Sequence, residues 1–373
     1  MKKEEIIYFL KEKPGYRKKG KETLQSILQN KGYDVSIDDI ASAFREFSSS
    51  NDETVVESDV IIPEGFEIKS MWQQGNKMMY SFKPKQSEET NTILEDAINE
   101  LAEYNSKRSF FPILTEGKGI KLHTIADLHI GAYVRDLINT PNYDSAIVTD
   151  KLQVAANEIN AQGNKENHIA LLGDLIESFT GLNHINSWKS MEQGLYGGKV
   201  LILAYEIILD FLSRIDNLSG VYIVSGNHDR VTSNNKEDTE GDVAKIIAYF
   251  LSQRVNCELI YDTTVISKEV DGINYIIHHG DKSFARGDLA DIVLAYGNRD
   301  MFNVVLSGHL HTRKGKDRNS LINEDTRKYR AYSCPSIFTG NSYSEESNWT
   351  SVSGFYSLSN KFNLPQLIDT PIL

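Results

Sequence analysis

Cysteine is nearly absent from this sequence: Cys257 and Cys334 are the only two in 373 residues. That excludes a disulfide framework and a thiolate metal cluster. Long apolar runs are missing too. A stretch such as Val200 to Ala204 falls far short of the roughly 20 residues a helix needs to cross a bilayer, and the residues after Met1 (Lys-Lys-Glu-Glu) hold no apolar core of a secretion signal. The expectation is a soluble, cytoplasmic chain with no membrane partner. A positive balance is also lacking. The formal charge of −12 excludes a surface that is basic all over and leaves any nucleic-acid contact to local patches. Two such patches occur, one running through Lys11, Lys13, Arg17, Lys18, Lys19 and Lys21, the other through Arg313, Lys314, Lys316 and Arg318. Each reads as a solvated face or as a phosphate contact.

Apolar material is plentiful, at 40% of residues, which fills a sizeable core and predicts a large domain with a smaller appendage. Residues 1–50 carry apolar positions at helical spacing in three short stretches (Ile6 to Leu10, Leu24 to Leu28, Ile37 to Phe44). The third opens with Ser36 and Asp39 in a capping-box arrangement. Small helices joined by Gly-containing turns suggest a helix-turn-helix-like module. Residues 51–118 read as an acidic linker, a β-hairpin turning at Gln73 to Asn76, and a charged helical connector from Glu88 to Lys107.

From residue 119 to 373 the character changes. Apolar strands (Ile120 to Ala126, His168 to Leu172, Val221 to Val224, Tyr275 to Ile277, Asn303 to Leu306) alternate with amphipathic helices (Ser145 to Ala161, Lys199 to Arg214, Asp242 to Gln253). That pattern predicts a layered α/β sheet, with chemistry just beyond the strand ends.

Five polar clusters stand at those ends: Asp127-Leu-His129, Gly173-Asp174, Gly226-Asn-His-Asp229, His278-His-Gly-Asp281 and Gly308-His-Leu-His311. An Asp and a His two apart on extended chain point the same way and can grip one ion, and a carboxylate after Gly can bridge two. Each cluster alone means little.

In this order, D-x-H, G-D, G-N-H-D, H-G and G-H-x-H, the set resembles the calcineurin-like metallophosphoesterase superfamily over about Gly119 to Thr312. The resemblance implies an α/β fold built as a layered β-sandwich with flanking helices. It implies that Asp127, His129 and His311 bind one divalent metal ion, that Asn227, His279 and His309 bind a second, and that Asp174 bridges them. Oxygen and nitrogen donors suit Mn, Zn, Fe or Ni, with Mn²⁺ the first candidate. His228 becomes the general acid for the leaving oxygen, with Asp229 orienting its imidazole. His278 is expected in a supporting or core role; His123 and His168 are expected to be structural.

The branch is narrowed by two departures. Phosphoprotein phosphatases carry G-D-x-V-D-R-G and G-N-H-E, whereas this chain has Gly173-Asp-Leu-Ile-Glu-Ser178 and Gly226-Asn-His-Asp229. The remaining similarity is to SbcD-like DNA-repair exonucleases and related phage-encoded phosphoesterases. This implies a phosphodiester hydrolase acting on DNA, as a homodimer or with a partner ATPase. Lys282, Arg286 and Arg313 next to the ligands, and His184 after the bridging aspartate, are candidate substrate contacts. A phosphodiesterase or phosphatase for a small nucleotide is the alternative, and a scaffold that keeps the fold without catalysis is a distant one.

Overall fold

A computed structural model describes residues 6, 21–30, 35–37, 39–43, 66–74, 77–84, 88–180, 191–232, 241–281, 289–311, 314–316, 329–346 and 351–373. The chain divides into two compact units, Met1–Lys85 and Gln86–Leu373.

In the first unit, helix α1 (Lys21–Asn30) buries Leu28, and Ile6, Ile40 and Ala43 are also fully buried. The Ser36 cap is present. Ser36 Oγ accepts from the Asp39 amide at 3.1 Å, and Asp39 Oδ2 accepts from the Ser36 amide at 3.2 Å, so two amides at the helix start satisfy each other's side chains. The expected hairpin is β1 (Phe66–Gln74) against antiparallel β2 (Lys77–Pro84). The helix-turn-helix-like module, including its basic residues 11–19, lies largely outside the described residues.

The second unit begins with α2 (Glu88–Ser106), the stretch expected as a connector. Its Ala97 and Leu101 are buried in the main core, because Gly198 at the start of α4 (Gly198–Ser213) lets the two backbones meet. Two sheets follow. The larger has the order β13 (Leu364–Pro371), β12 (Gly354–Lys361), β3 (Ile120–Ile125), β4 (Glu166–Leu172), β5 (Leu218–Val224) and β6 (Glu258–Asp262). The smaller runs β10 (Lys314–Lys316), β11 (Tyr329–Ser333), β9 (Phe302–Ser307), β8 (Ile273–His278) and β7 (Val265–Val270).

Alternation along each strand decides the layering. Leu122, Ala170, Leu172, Tyr222 and Val224 face one way and meet Ile273, Tyr275, Ile277, Val304 and Leu306 of the other sheet. Their neighbours Ile125, Ile169, Leu171, Val221 and Ile223 face the opposite way, onto α3 (Ser145–Ala161), α4 and α5 (Asp242–Ser252). The far side of the smaller sheet, with Ile276 and Val305, is covered by Ile292 of α6 (Leu289–Tyr296). The result is helices, sheet, sheet, helix: the expected sandwich. Among the described residues no helix is long and apolar enough to cross a membrane.

β3, β4 and β5 run parallel, as do β8 and β9, so one edge of the sandwich collects the strand C-termini. β12, antiparallel to β3, closes the other flank of β3. There Ser357 Oγ lies 2.8 Å from His123 Nδ1, and Asn167 Oδ1 lies 2.8 Å from Nε2. His123 is fully buried and structural. His168, stacked on Tyr222 and 2.9 Å from its hydroxyl, is likewise part of the framework.

Burial lowers the His123 imidazole to about 3, against a raising influence from the Asn167 bond. Its folded-state pKa is thus below the unfolded value near 6.5. As pH falls below 6.5 the unfolded chain takes up a proton that the native state refuses, and stability drops until about pH 3. Between pH 6.5 and 4.5 this costs about 2–3 kcal/mol. In urea unfolding at pH 7 and pH 4.5, His123→Gln should lose distinctly less stability over that interval than the unsubstituted chain. An identical pH trend in both would remove His123 from the account.

Candidate active site

All five polar clusters fall at the one edge where the strands end. Asp127 follows β3, Asp174 follows β4, Asn227 follows β5, His279 follows β8 and His309 follows β9. The turns are sewn to each other: the Asp127 amide donates to the Gly173 carbonyl at 3.2 Å and the His129 amide to the Asp174 carbonyl at 2.9 Å.

Alternating extended backbone was expected to aim Asp127 and His129 alike, but the pleat is not what does it. Asp127 (φ 52°), His129 (43°), Asp174 (50°), His309 (64°) and His311 (49°) all occupy the left-handed region. Each such non-glycine residue costs about 1 kcal/mol or more. The chain turns sharply at these five ligand candidates, which throws the side chains together where strands would splay them. The glycines make room for this. A Cβ on Gly226 would lie 2.0 Å from Asp174 Oδ1, and one on Gly173 would lie 2.6 Å from the Gly226 amide nitrogen.

Three groups of donor atoms result, each within 4.8 Å: Asp127, His129 and His311; Asp174, His279 and His309; and His129, Asp174 and His228. Asn227 joins the second through its Oδ1, 3.2 Å from His279 Nε2. Hydrogen bonding fixes which ring nitrogens face inward. His129 Nδ1 donates to Glu177 Oε2 at 2.7 Å and His279 Nδ1 to the Leu172 carbonyl at 2.7 Å, so each presents the lone pair of Nε2. His279 Nε2 then faces two oxygens, Asn227 Oδ1 and Asp174 Oδ2, both at 3.2 Å. His129 Nε2 and Asp127 Oδ2 are buried without a hydrogen-bond partner. Inward lone pairs and an orphaned carboxylate oxygen leave a shortage of positive charge, and a pair of divalent cations fits that donor set.

The electrostatics agree. Burial alone would raise the Asp174 carboxyl, but His279 and His228 beside it hold it well below the usual range. Burial would lower His279, yet Asp174 and Asp127 push it up to about 10. That is the same charge deficit, met by a proton.

The structure has the layered sandwich with flanking helices that the sequence resemblance implies. The sequence matches no described family and no curated protein. Solved structures with some likeness include Zn-complexed Vps29 from Entamoeba histolytica, at 10% identity and TM-score 0.30, covering 68% of this chain and 99% of that one. They also include the phosphoesterase YfcE from E. coli, at 10% identity and TM-score 0.33, covering 68% of this chain and 100% of that one. The Thermus thermophilus sulfate thiohydrolase SoxB matches at 10% identity, with TM-score 0.35 over 70% of this chain and 58% of that one. Overlaps this loose say nothing of chemistry.

Two expectations need correction or addition. Asp229 does not orient the His228 ring. Its Oδ1 accepts from the Leu175 amide at 2.8 Å and the Ile176 amide at 3.3 Å, and its Oδ2 from the Gly226 amide at 2.8 Å. It is a brace that clamps the Asp174 turn to the Asn227 turn. His228 Nδ1 lies 2.7 Å from the Glu177 carbonyl, which accepts from it, while the His228 amide donates to Asp174 Oδ1 at 2.8 Å. Nδ1 of this ring is thus engaged by backbone.

Glu177, unmarked in the sequence reading, is buried and holds His129 by its carboxylate and His228 by its carbonyl. Its place three residues after Asp174, in an otherwise apolar run, was the available signal. Phe338 was also missed: its ring centroid lies 4.5 Å from that of His129 and 5.8 Å from that of His311, a wall that nothing local in the sequence announces. His278 is buried beside the site, with burial and His279 lowering it to about 4. His184, Lys282, Arg286 and Arg313 lie outside the described residues.

Proposed function

We propose that this chain is a two-metal phosphodiester hydrolase acting on DNA. The observation that carries the hydrolase reading is the buried Asp174 carboxylate between the two donor groups, its Oδ2 3.2 Å from His279 Nε2 and 3.6 Å from His129 Nε2, with His228 alongside. Asp127, His129 and His311 would hold one divalent ion and Asn227, His279 and His309 the other, Mn²⁺ being the first candidate. When bound, such a pair supplies Lewis acidity and charge neutralisation at a phosphoryl group. The chain does the rest. Leu172 and Glu177 fix the imidazole tautomers, the left-handed turns hold the donors in place before any ligand arrives, and Phe338 screens two of the histidines from water. His228 donates a proton from Nε2 to the leaving oxygen, its Nδ1 anchored on the Glu177 carbonyl.

Support for a polymeric substrate is partly in sequence and partly in exposure. Lys282 and Arg286 follow His279, and Arg313 to Arg318 follow His311, so cations able to meet flanking phosphates stand close in sequence to two ligand candidates. Leu310, between two ligand candidates, is 59% exposed, an apolar surface suited to the face of a base or sugar. The test compares bis-p-nitrophenyl phosphate, single-stranded DNA, duplex DNA, RNA and cyclic nucleotides with Mn²⁺, Zn²⁺, Fe²⁺ or Ni²⁺ added to the full chain. Metal-dependent turnover of DNA is expected. Cleavage confined to cyclic or mononucleotides would transfer the reading to a small-nucleotide enzyme, and inertness toward every substrate with every metal would sink the hydrolase itself.

A further inference from the structure

A cavity of about 610 Å³, lined by none of the ligand candidates, lies between α3, the loop at Asn139 to Asn142, and the residues Thr339 and Ser351 to Ser353. Ile147, Val154, Val352 and Ile372 give it an apolar body. Its polar groups are of an uncommon kind. Lys151 lines it, with its ammonium 3.2 Å from the Ile337 carbonyl and 5.6 Å from the centre of the Tyr143 ring. Among the described residues no carboxylate lies within ion-pair distance of it. Burial lowers this amine to about 8, the mark of a cation short of a counter-charge.

Thr339 and Ser351 also line the cavity, and both hydroxyl oxygens are buried with no hydrogen-bond partner. Thr339 is only 3% exposed. Buried hydroxyls and ammonium groups are ordinarily satisfied, and leaving them without partners is costly. An ammonium with three N–H donors and two hydroxyls lining one cavity ask for an acceptor with many charged oxygens. A phosphoryl group offers more of these than a carboxylate. The apolar walls and the volume suit a body the size of a nucleoside, and Asp150, Asn139 and Asn142, also on the lining, offer acceptors and donors to its hydroxyl and amino groups.

We propose that this cavity is a binding site for a small organic monophosphate of nucleotide size, with the phosphoryl group held by Lys151, Thr339 and Ser351. It is separate from the Asp174 cluster and needs no chemistry there.

The test uses the full chain carrying Asp174→Ala, which removes turnover of the probe, and isothermal titration with dAMP. One site is expected. Adenosine and inorganic phosphate, each supplying half of the ligand, should bind at least about tenfold more weakly. Adding Lys151→Met, which removes the ammonium while keeping the apolar stem, should weaken dAMP at least about tenfold. Val154→Trp, which fills the cavity from an exposed position, should do the same without touching the polar groups. Absence of any dAMP binding, or binding that survives both Lys151→Met and Val154→Trp, overturns the proposal.

Discussion

Asp174→Ala should reduce hydrolysis to background, a loss of at least about 10⁴-fold, and should lower bound metal from two ions per chain to one or none. Three separate contacts converge on this carboxylate. Oδ1 accepts from the His228 amide at 2.8 Å, while Oδ2 lies 3.2 Å from His279 Nε2 and 3.6 Å from His129 Nε2, one nitrogen from each donor group. Without it, two cations some 4 Å apart would repel each other with less compensation. Asp174→Asn separates charge from shape, since its side-chain oxygen can still accept from the His228 amide; it should also lose metal. Elemental analysis that finds two ions per chain in a normally folded Asp174→Ala protein would refute the bridging role.

His228→Ala should act on a different step. Turnover of DNA should fall roughly 10²–10⁴-fold, the contribution of a positioned acid, with metal content largely kept. On bis-p-nitrophenyl phosphate, whose leaving group needs no proton, the loss should be much smaller. Equal losses on both substrates would reduce His228 to a phosphate-positioning group. Loss of a metal ion would reassign it as a ligand, a role its closeness to His129 and Asp174 makes geometrically possible.

What could be read from the sequence follows a physical rule. Strands β4, β5, β8 and β9 are buried on both faces and show as short apolar runs, and α3, α4 and α5 span three or more turns of period 3.6. The ligand candidates were legible because each stands directly after such a strand. The outer strands were not. β6 and β13 are half exposed, without a run or a clean alternation, and β12 (GFYSLSNK) hides its inward set, Phe355, Tyr356 and Leu358, among serines and an asparagine. At the site the left-handed turns left no trace, since Asp and His tolerate many conformations. Asp229 was given to its neighbour His228 because they adjoin, but consecutive side chains in a turn diverge, and its carboxylate goes to backbone amides instead. Glu177 and Phe338 act across distances along the chain that no local pattern records.

The pairing of β12 with β3 has a consequence for biosynthesis. Ser357 meets His123 from 234 positions further along the chain. Until the ribosome has delivered that late segment, the nascent polypeptide displays the unpaired edge of β3, the strand that leads into Asp127, together with an imidazole whose partner has not been made. Open edges of this kind recruit other strands. The strand that leads into Asp127 thus keeps one open edge until a segment more than two hundred residues later is in place, and that edge is an aggregation hazard for as long as it stays open.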